Sequence, residues 1–540
     1  MARRGSGAER VPGIDRPPAP GLRCPALGRH RVGGCELSTA LSVGAAARET
    51  PEGVALVHGG QALTWAELAA RAEGVATSVR HRLRASPYPL VAVVGGMGVE
   101  TVTTILALLE DRVPFVLLHP RWSRAERKRA LAKTGAALVV EEDGALTAAS
   151  GSPGRGWIGD GAAAFVFTSG STGLPRGAAL SQAALVASSK AHTAVFGWNE
   201  EDRWLLSLPT AHVGGLMIVV RCLLARRSIV LGSRHASGTF DAERVLRVIE
   251  RHRVTLLSVV PTMLGRLLDG AGEDPPPTLR AVLVGGAAAS PALIARARGR
   301  GWPVFATYGL TEACSQVATE RPGAAEHVVA GKGAVSEAGD SRSGSGVGPP
   351  LPGVEVRIES RKTAGEAGTP VRGSILVRGA ILFEGYVGSE PGAPLERPFD
   401  ADGWFDTGDL GNLDASGQLH ILGRRSDRIL TGGENVDPSE VEAAVLEWPG
   451  AVAACVVGVD DDEWGERVGA VVVGSRAFEA ERGLAGLERH LRERLAGFKR
   501  PRRWRVVDHL PVAPSGKVDR QACRGLLIDS ERPGSPEARR

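Results

Sequence analysis

Short apolar runs and helix-forming segments alternate along most of this chain, and that alternation restricts the fold more than any other feature. Leu90–Val94 reads as a buried strand ending at Gly95-Gly96, with Thr101–Leu109 as the helix after it. Val113–Leu118 is the next strand and Ser123–Thr134 the next helix. The rhythm returns downstream, with Leu205–Leu208, Ser228–Leu231, Thr255–Val260 and Leu279–Val284 as strands. Gly215–Ala225 and Ala242–His252 are the helices among them. Strands joined through helices pair in parallel, because such a crossover brings the chain back to the same end of the sheet. A hairpin, Val54–His58 with Leu63–Trp65, precedes all of this, and Thr64 caps a helix over Ala66–Ser78. The pattern changes after Gly331–Gly348, a Gly/Ser-rich loop: Val354–Ile358, Ser374–Arg378 and His420–Leu422 read as short antiparallel strands. From near Gly423 a smaller unit follows, with helices at Ser439–Leu446 and Gly483–Leu495 and strands at Ala453–Val457 and Gly469–Val473.

At 540 residues the chain is too long for one ordinary core, so two or more domains are expected. The net charge of +5 is local: residues 1–33 hold seven arginines against two acids, and the remainder is formally neutral. A neutral body argues against nucleic acid as a partner. Residues 1–36 read as a disordered basic extension, or as the product of a start codon set too far upstream; they lack the apolar core of a secretory signal. No apolar run approaches the ~18 residues needed to span a bilayer. The six cysteines are widely separated and form no C-x-x-C, which fits reduced thiols in a cytoplasm better than a disulfide framework or a zinc site.

Five stretches carry chemistry that packing does not explain. The strand Ala162–Phe167 breaks into Thr168-Ser169-Gly170-Ser171-Thr172-Gly173-Leu174-Pro175-Arg176-Gly177, whose glycines, hydroxyls and single arginine suit an oligophosphate. It is not the Walker pattern, and a flexible surface turn is the competing reading. In Tyr308-Gly309-Leu310-Thr311-Glu312 the tyrosine can stack a purine, Thr311 can donate to a phosphate and Glu312 can hold Mg²⁺. A core tyrosine and a helix-start acid would look the same. Asp409 ends Gly403–Asp409 with a carboxylate able to accept from ribose hydroxyls. Arg424, Arg425 and Arg428 crowd into five positions, and Lys517 stands at the tip of Pro514-Ser515-Gly516-Lys517.

In this order and spacing the motifs resemble those of the acyl-adenylate-forming (AMP-binding) superfamily, from about Leu37 to Asp529. The resemblance implies an α/β protein. A large N-terminal adenylating domain (37–424) would have mostly parallel, helix-flanked sheets and a small β-barrel-like part. A small mobile α+β domain (425–529) would carry the catalytic lysine, followed by a tail (530–540). It also implies ATP, Mg²⁺ and coenzyme A. Thr168–Gly177 would hold the leaving pyrophosphate; Gly285, Gly286 and Ala287 would line the adenine, and Tyr308 would stack on it. Thr311 would touch the α-phosphate, Glu312 would bind the metal, Asp409 and Arg424 would hold the ribose, and Lys517 would meet the developing charge. Ser426 occupies the hinge between domains, where relatives usually carry Asp or Lys. After rotation Gly433 would line the thiol entry and Trp464 would stack on the CoA adenine. Arg176 stands where Lys is commoner, which keeps the charge but makes the donor a planar fork. Gln182 stands where His is frequent.

The acid must be read from the pocket rather than from shared motifs. Arg221 interrupts the apolar run after Leu208-Pro209-Thr210-Ala211-His212, and a guanidinium there needs a partner; a second substrate carboxylate would supply one, an internal acid or solvent being the alternatives. At about 100° per residue His212 and Arg221 fall on opposite faces of one helix, so both reach one pocket only if His212 lies on the entry loop. The His-x₈-Arg spacing and Thr311-Glu312-Ala313-Cys314-Ser315-Gln316 resemble the o-succinylbenzoate–CoA ligases, the menaquinone-pathway branch. That branch implies His212, Arg221 and Ser315 as substrate-binding residues. Another aryl or medium-chain acid, or transfer to a carrier protein, are the alternative activities. The oligomeric state is left open, a homodimer included.

Overall fold

The computed structural model describes residues 39–84, 86, 89–149, 161–168, 176–232, 240–270, 274–322, 345–360, 372–388, 393–431, 434–461, 464–480, 483–513 and 516–529. The expected loop at 331–348 falls largely outside them. The fold is α/β, as the alternation predicts. An eight-stranded sheet runs parallel through the strands Val304–Leu310, Ala281–Val284, Leu256–Val259, Arg203–Leu206, Ser228–Leu231 and Val54–His58, with an antiparallel strand at each edge. A seven-stranded sheet is parallel through Ala162–Thr168, Phe115–Leu118, Val91–Val94 and Leu138–Val140 and antiparallel outside them. Val91–Val94, Phe115–Leu118 and Ser228–Leu231 are buried at every position, as strands covered on both faces must be.

Local signals set the helix starts. Thr64 accepts from the Glu67 amide while Glu67 reaches back to the Thr64 amide, and Ser123 and Glu126 repeat this box. Those helices run Trp65–Leu83 and Arg124–Thr134. The helix expected at 215–225 starts two residues earlier, at Val213, and the strand expected at 205–208 spans Arg203–Leu206. Helix Gln182–Phe196 has no counterpart in the sequence reading. Its buried side includes Ser188, Ser189 and His192, so polar residues blur the apolar stripe.

A five-stranded antiparallel sheet follows, built on Val354–Glu359, Gly373–Gly379, Phe405–Leu413 and Leu419–Arg424. The small domain has its own sheet, whose long hairpin Ala451–Asp461 with Gly465–Gly474 is joined in parallel by Arg503–Val507. Helices Pro438–Leu446 and Gly483–Arg494 cover a separate core around Val441, Val456, Val472 and Leu487. The large apolar side chains most exposed among the described residues all belong here: Leu430, Val452, Trp464, Phe498, Val506, Val512 and Ile528. No helix among the described residues is long and apolar enough to cross a membrane.

Candidate active site

Strand ends of the large domain and one hairpin tip of the small domain converge on a cleft of ≈ 3790 Å³. Thr168, Arg176, His212, Gly286 and Ala287 line it, and so do Tyr308, Thr311, Glu312, Asp409, Arg424 and Lys517. Ser169, Gly170, Ser171, Thr172, Gly173 and Gly433 lie outside the described residues.

Thr168 and Arg176 are the last pair of the hairpin that carries the Gly/Ser loop, and the Thr168 hydroxyl donates to the Arg176 carbonyl at 3.3 Å. The Arg176 guanidinium ion-pairs with Glu396 at 3.0 Å and lies 3.6 Å from the centroid of the Tyr386 ring. Facing it, Tyr308 on Val304–Leu310 donates from its hydroxyl to Asp409 Oδ2 at 2.6 Å. Asp409 and Arg424 are register partners on adjacent antiparallel strands, and Arg424 Nε reaches Asp409 Oδ1 at 3.0 Å. Burial pushes the Asp409 carboxyl above its usual 3.8, against the pull of Arg424. Burial also lifts the Tyr308 phenol well above 10, and the Asp409 charge adds to it.

Glu312 lies on the 3₁₀ turn Thr311–Ala313, and its Oε1 accepts from the Tyr386 hydroxyl at 2.7 Å. The chain then passes through Cys314 (φ 49°) and Ser315 (φ 94°), conformations few side chains adopt. The Ser188 hydroxyl holds the Cys314 carbonyl at 2.7 Å. Gly309 makes this possible: a Cβ there would lie 1.7 Å from the Ser315 carbonyl oxygen.

Lys517 follows Gly516 (φ 80°) at a tight turn closed by the Gly516 amide on the Ala513 carbonyl at 2.8 Å. The large domain holds that turn, with the Thr262 hydroxyl donating to the Gly516 carbonyl at 3.1 Å. Burial draws the Lys517 pKa below 10.5 and the Arg424 charge acts the same way, opposed by Asp409 and Glu312. Gly286 (φ 77°) faces the lysine stem: a Cβ there would meet Lys517 Cε at 3.7 Å. Gly285 is off the cleft wall, and its smallness serves packing, since a Cβ would meet the Thr307 methyl at 2.7 Å.

The structure separates the two residues expected to share a substrate pocket. His212 is the N-cap of helix Val213–Ala225, with extended backbone, so its ring faces the cleft from outside the helix and stacks obliquely on His119 at 5.0 Å. Burial pushes its pKa down to about 3, and its Nε2 is buried without a hydrogen-bond partner. Arg221 lies behind the wall, 3% exposed, with its guanidinium carbon 5.7 Å from the Trp204 ring centroid. Two helical turns carry it to that far side. Its Nε and Nη2 have no hydrogen-bond partner, and among the described residues no acid pairs with it. Burial draws its pKa down to about 9. Ser315 is half-buried and off the cleft wall, and Trp464 stands 44% exposed on a turn of the small domain, also off the wall.

Among the described residues no cluster of three or more His, Cys, Asp or Glu side chains could cage a metal. The Glu312 carboxylate on the cleft wall does fit Mg²⁺, which takes one or two carboxylates and completes its shell with phosphate oxygens and water. Two residues escaped the sequence reading. His119 backs His212, and Tyr386 joins Glu312 to Arg176. A usable signal existed for the second: the chain has only three tyrosines, and the two among the described residues both donate to carboxylates on the cleft wall.

This combination of a doubly sheeted large domain, a small domain delivering one lysine, and a Tyr–Asp–Arg chain defines an adenylate-forming enzyme. The chain belongs to the AMP-binding enzyme family: it matches that family over residues 43–156 and 157–387, and the AMP-binding enzyme C-terminal domain over 440–517. It is 33% identical to a 2-succinylbenzoate–CoA ligase of Bacillus licheniformis, covering 87% of this chain and 96% of that one. Its fold matches o-succinylbenzoate CoA synthetase of Bacillus subtilis in complex with the acyl-adenylate intermediate, at a TM-score of 0.73 and 31% identity over 89% of this chain and 97% of that one. The same Bacillus subtilis enzyme with ATP and magnesium ion gives 0.71 and 31% over 90% and 99%.

Proposed function

We propose that this protein joins 2-succinylbenzoate to coenzyme A at the expense of ATP, releasing AMP and pyrophosphate, as a step of menaquinone synthesis in the cytoplasm. A carboxylate is a poor electrophile; attack of its oxygen on the α-phosphate of ATP expels pyrophosphate and leaves an acyl-AMP. The CoA thiol then attacks that acyl carbon, and AMP departs. Positioning and positive charge carry the first step, because it brings anions together and needs no protein nucleophile.

The observation that carries the reading is the arrival of Lys517 from the small domain within electrostatic reach of Asp409, Glu312 and Arg424. Lys517 stabilises charge developing between carboxylate and α-phosphate. Thr168 to Gly173 and Arg176 hold the β- and γ-phosphates, and Thr311 donates to the α-phosphate. Glu312 would hold Mg²⁺, which would supply neutralising charge on the phosphates. Gly286, Ala287 and Tyr308 receive the adenine, with Gly285 packed behind them, while Asp409 and Arg424 receive the ribose. In the thiol step the small domain (425–529) turns about Ser426 against the large one (37–424), bringing Gly433 and Trp464 to CoA.

Arg221 is what favours a diacid. A guanidinium neither in water nor paired with an internal acid stays costly until an anion arrives. We assign it, from behind the wall, the charge that draws the aromatic carboxylate toward His212, with Ser315 likewise supporting the pocket from off the wall. Pyrophosphate release over a panel of acids, with and without CoA, tests the reading. The expected outcome is release with 2-succinylbenzoate, and thioester only when CoA is added. Arg221→Ala should raise KM for the diacid about tenfold, the loss of a buried positive charge acting through the wall, while leaving monocarboxylates unaffected. Equal loss for both would remove the anchoring role.

A further inference from the structure

One aromatic side chain outside the residues given roles above touches two of them at once. Tyr386 is 6% exposed, on the short strand Gly385–Tyr386 that pairs with Ala178 and Ala179 at the edge of the seven-stranded sheet. Its hydroxyl donates to Glu312 Oε1 at 2.7 Å, and its ring carries the Arg176 guanidinium at 3.6 Å. The neighbourhood fixes the ring. Phe383 packs edge-on against it at 4.7 Å, and its backbone exchanges hydrogen bonds of 2.9 Å with Glu396. Glu396 in turn takes the Arg176 guanidinium at 3.0 Å. The phosphate-loop cation and the metal-holding carboxylate, 136 positions apart in sequence, thus share one rigid support.

From this geometry we infer that Tyr386 is a positioning residue for the adenylation step: it sets the Glu312 carboxylate for Mg²⁺ through its hydroxyl and presents Arg176 to the β- and γ-phosphates through its ring face. A tyrosine suits both tasks. Its hydroxyl donates to one Glu312 oxygen and leaves the second available. The ring face attracts a guanidinium without consuming its N–H groups, one of which Arg176 gives to Glu396.

The inference rests on the reading of the cleft as an ATP site, and the two are separable by experiment. Tyr386→Phe keeps the ring and removes the hydroxyl; Tyr386→Leu removes both. Binding of Mn²⁺ with ATP, followed by the electron paramagnetic resonance signal of free Mn²⁺, is read without any acid present. Tyr386→Phe should weaken it about tenfold, the low end for a residue that orients a metal ligand. Tyr386→Leu should weaken it further and also raise KM for ATP. In both variants the conversion of supplied acyl-AMP and CoA to thioester should match the parent, because that substrate pair lacks the β- and γ-phosphates. Unchanged Mn²⁺·ATP binding in Tyr386→Phe, or an equal fall in both half-reactions, would overturn the positioning role. Identical behaviour of the Phe and Leu variants would overturn the part given to the ring. A parent that binds Mn²⁺·ATP but releases no pyrophosphate with any acid would instead remove the proposed reaction and leave the Mn²⁺ comparison intact.

Discussion

Lys517 shows how the cleft tunes a single residue. Burial lowers its pKa, the nearby Arg424 charge pushes the same way, and two carboxylates restrain the fall. In the proposed adenylation step the protonated form meets developing negative charge, so its useful range would end at lower pH than an ordinary lysine allows. Acyl-AMP formation should decline as pH rises through this lowered value, below 10.5, and a pH–rate profile of pyrophosphate release is the measurement. Lys517→Ala should lose about 10²–10³-fold in that step and lack the alkaline limb. The same shift sets a stability cost of opposite sense: the charged lysine is penalised by burial at neutral pH, and the penalty eases as pH rises past its folded pKa. Lys517 stands out in the sequence as one lysine at the tip of a Gly/Ser turn, and the family resemblance is what attaches a role to it. Tyr386 was not, because its two partners lie 74 and 210 positions upstream and only the folded sheet edge unites them.

Elements whose ends carry capping residues or whose faces are uniformly apolar were read closely. Ala242–His252 and Ser228–Leu231 fall where the sequence places them, since Asp241 caps the first and parallel neighbours bury every side chain of the second. The hairpin Val304–Leu310 with Ser315–Thr319 was invisible, because its turn uses left-handed Cys314 and Ser315 rather than the glycines that advertise such turns. One buried ion pair ties several of these elements together. Asp202, just before strand Arg203–Leu206, accepts from Arg280 at 2.5 Å, from Thr255 at 2.8 Å and from the Asn199 amide at 2.7 Å. Burial alone would raise its pKa, but these donors outweigh that and hold it below 3.8. Its stabilisation is therefore complete above 3.8 and lost as pH falls through the lower folded value. Asp202→Ala should cost about 3 kcal/mol by denaturant unfolding at pH 7, toward the low end for a broken buried pair because Arg280 keeps 25% of its side chain in water. The variant's deficit should shrink at acid pH.

At the scale of the whole molecule, the domains meet where chemistry requires both. The Thr262–Gly516 hydrogen bond holds the Lys517 turn against the large domain, and a Cβ added at Gly516 would lie 3.6 Å from Val260 Cγ2. On either side of Ser426, Arg425 pairs with Asp406 of the large domain at 3.0 Å and Asp427 with Arg520 of the small one at 3.4 Å. The residues flanking Ser426, the proposed joint, thus pair into opposite domains. Joining Val260→Cys and Gly516→Cys through a disulfide should permit pyrophosphate release yet stop thioester formation, and reduction should restore it. Loss of both steps would contradict the proposed division of labour between two arrangements. The apolar side chains left in water on the small domain acquire a meaning in this setting. A body that presents different faces to the same cleft at different times cannot hide all of its grease at once. If the small domain turns as proposed, Leu430, Trp464 and Val512 would be the wear surfaces of a bearing, left bare in one position so that they can be seated in another.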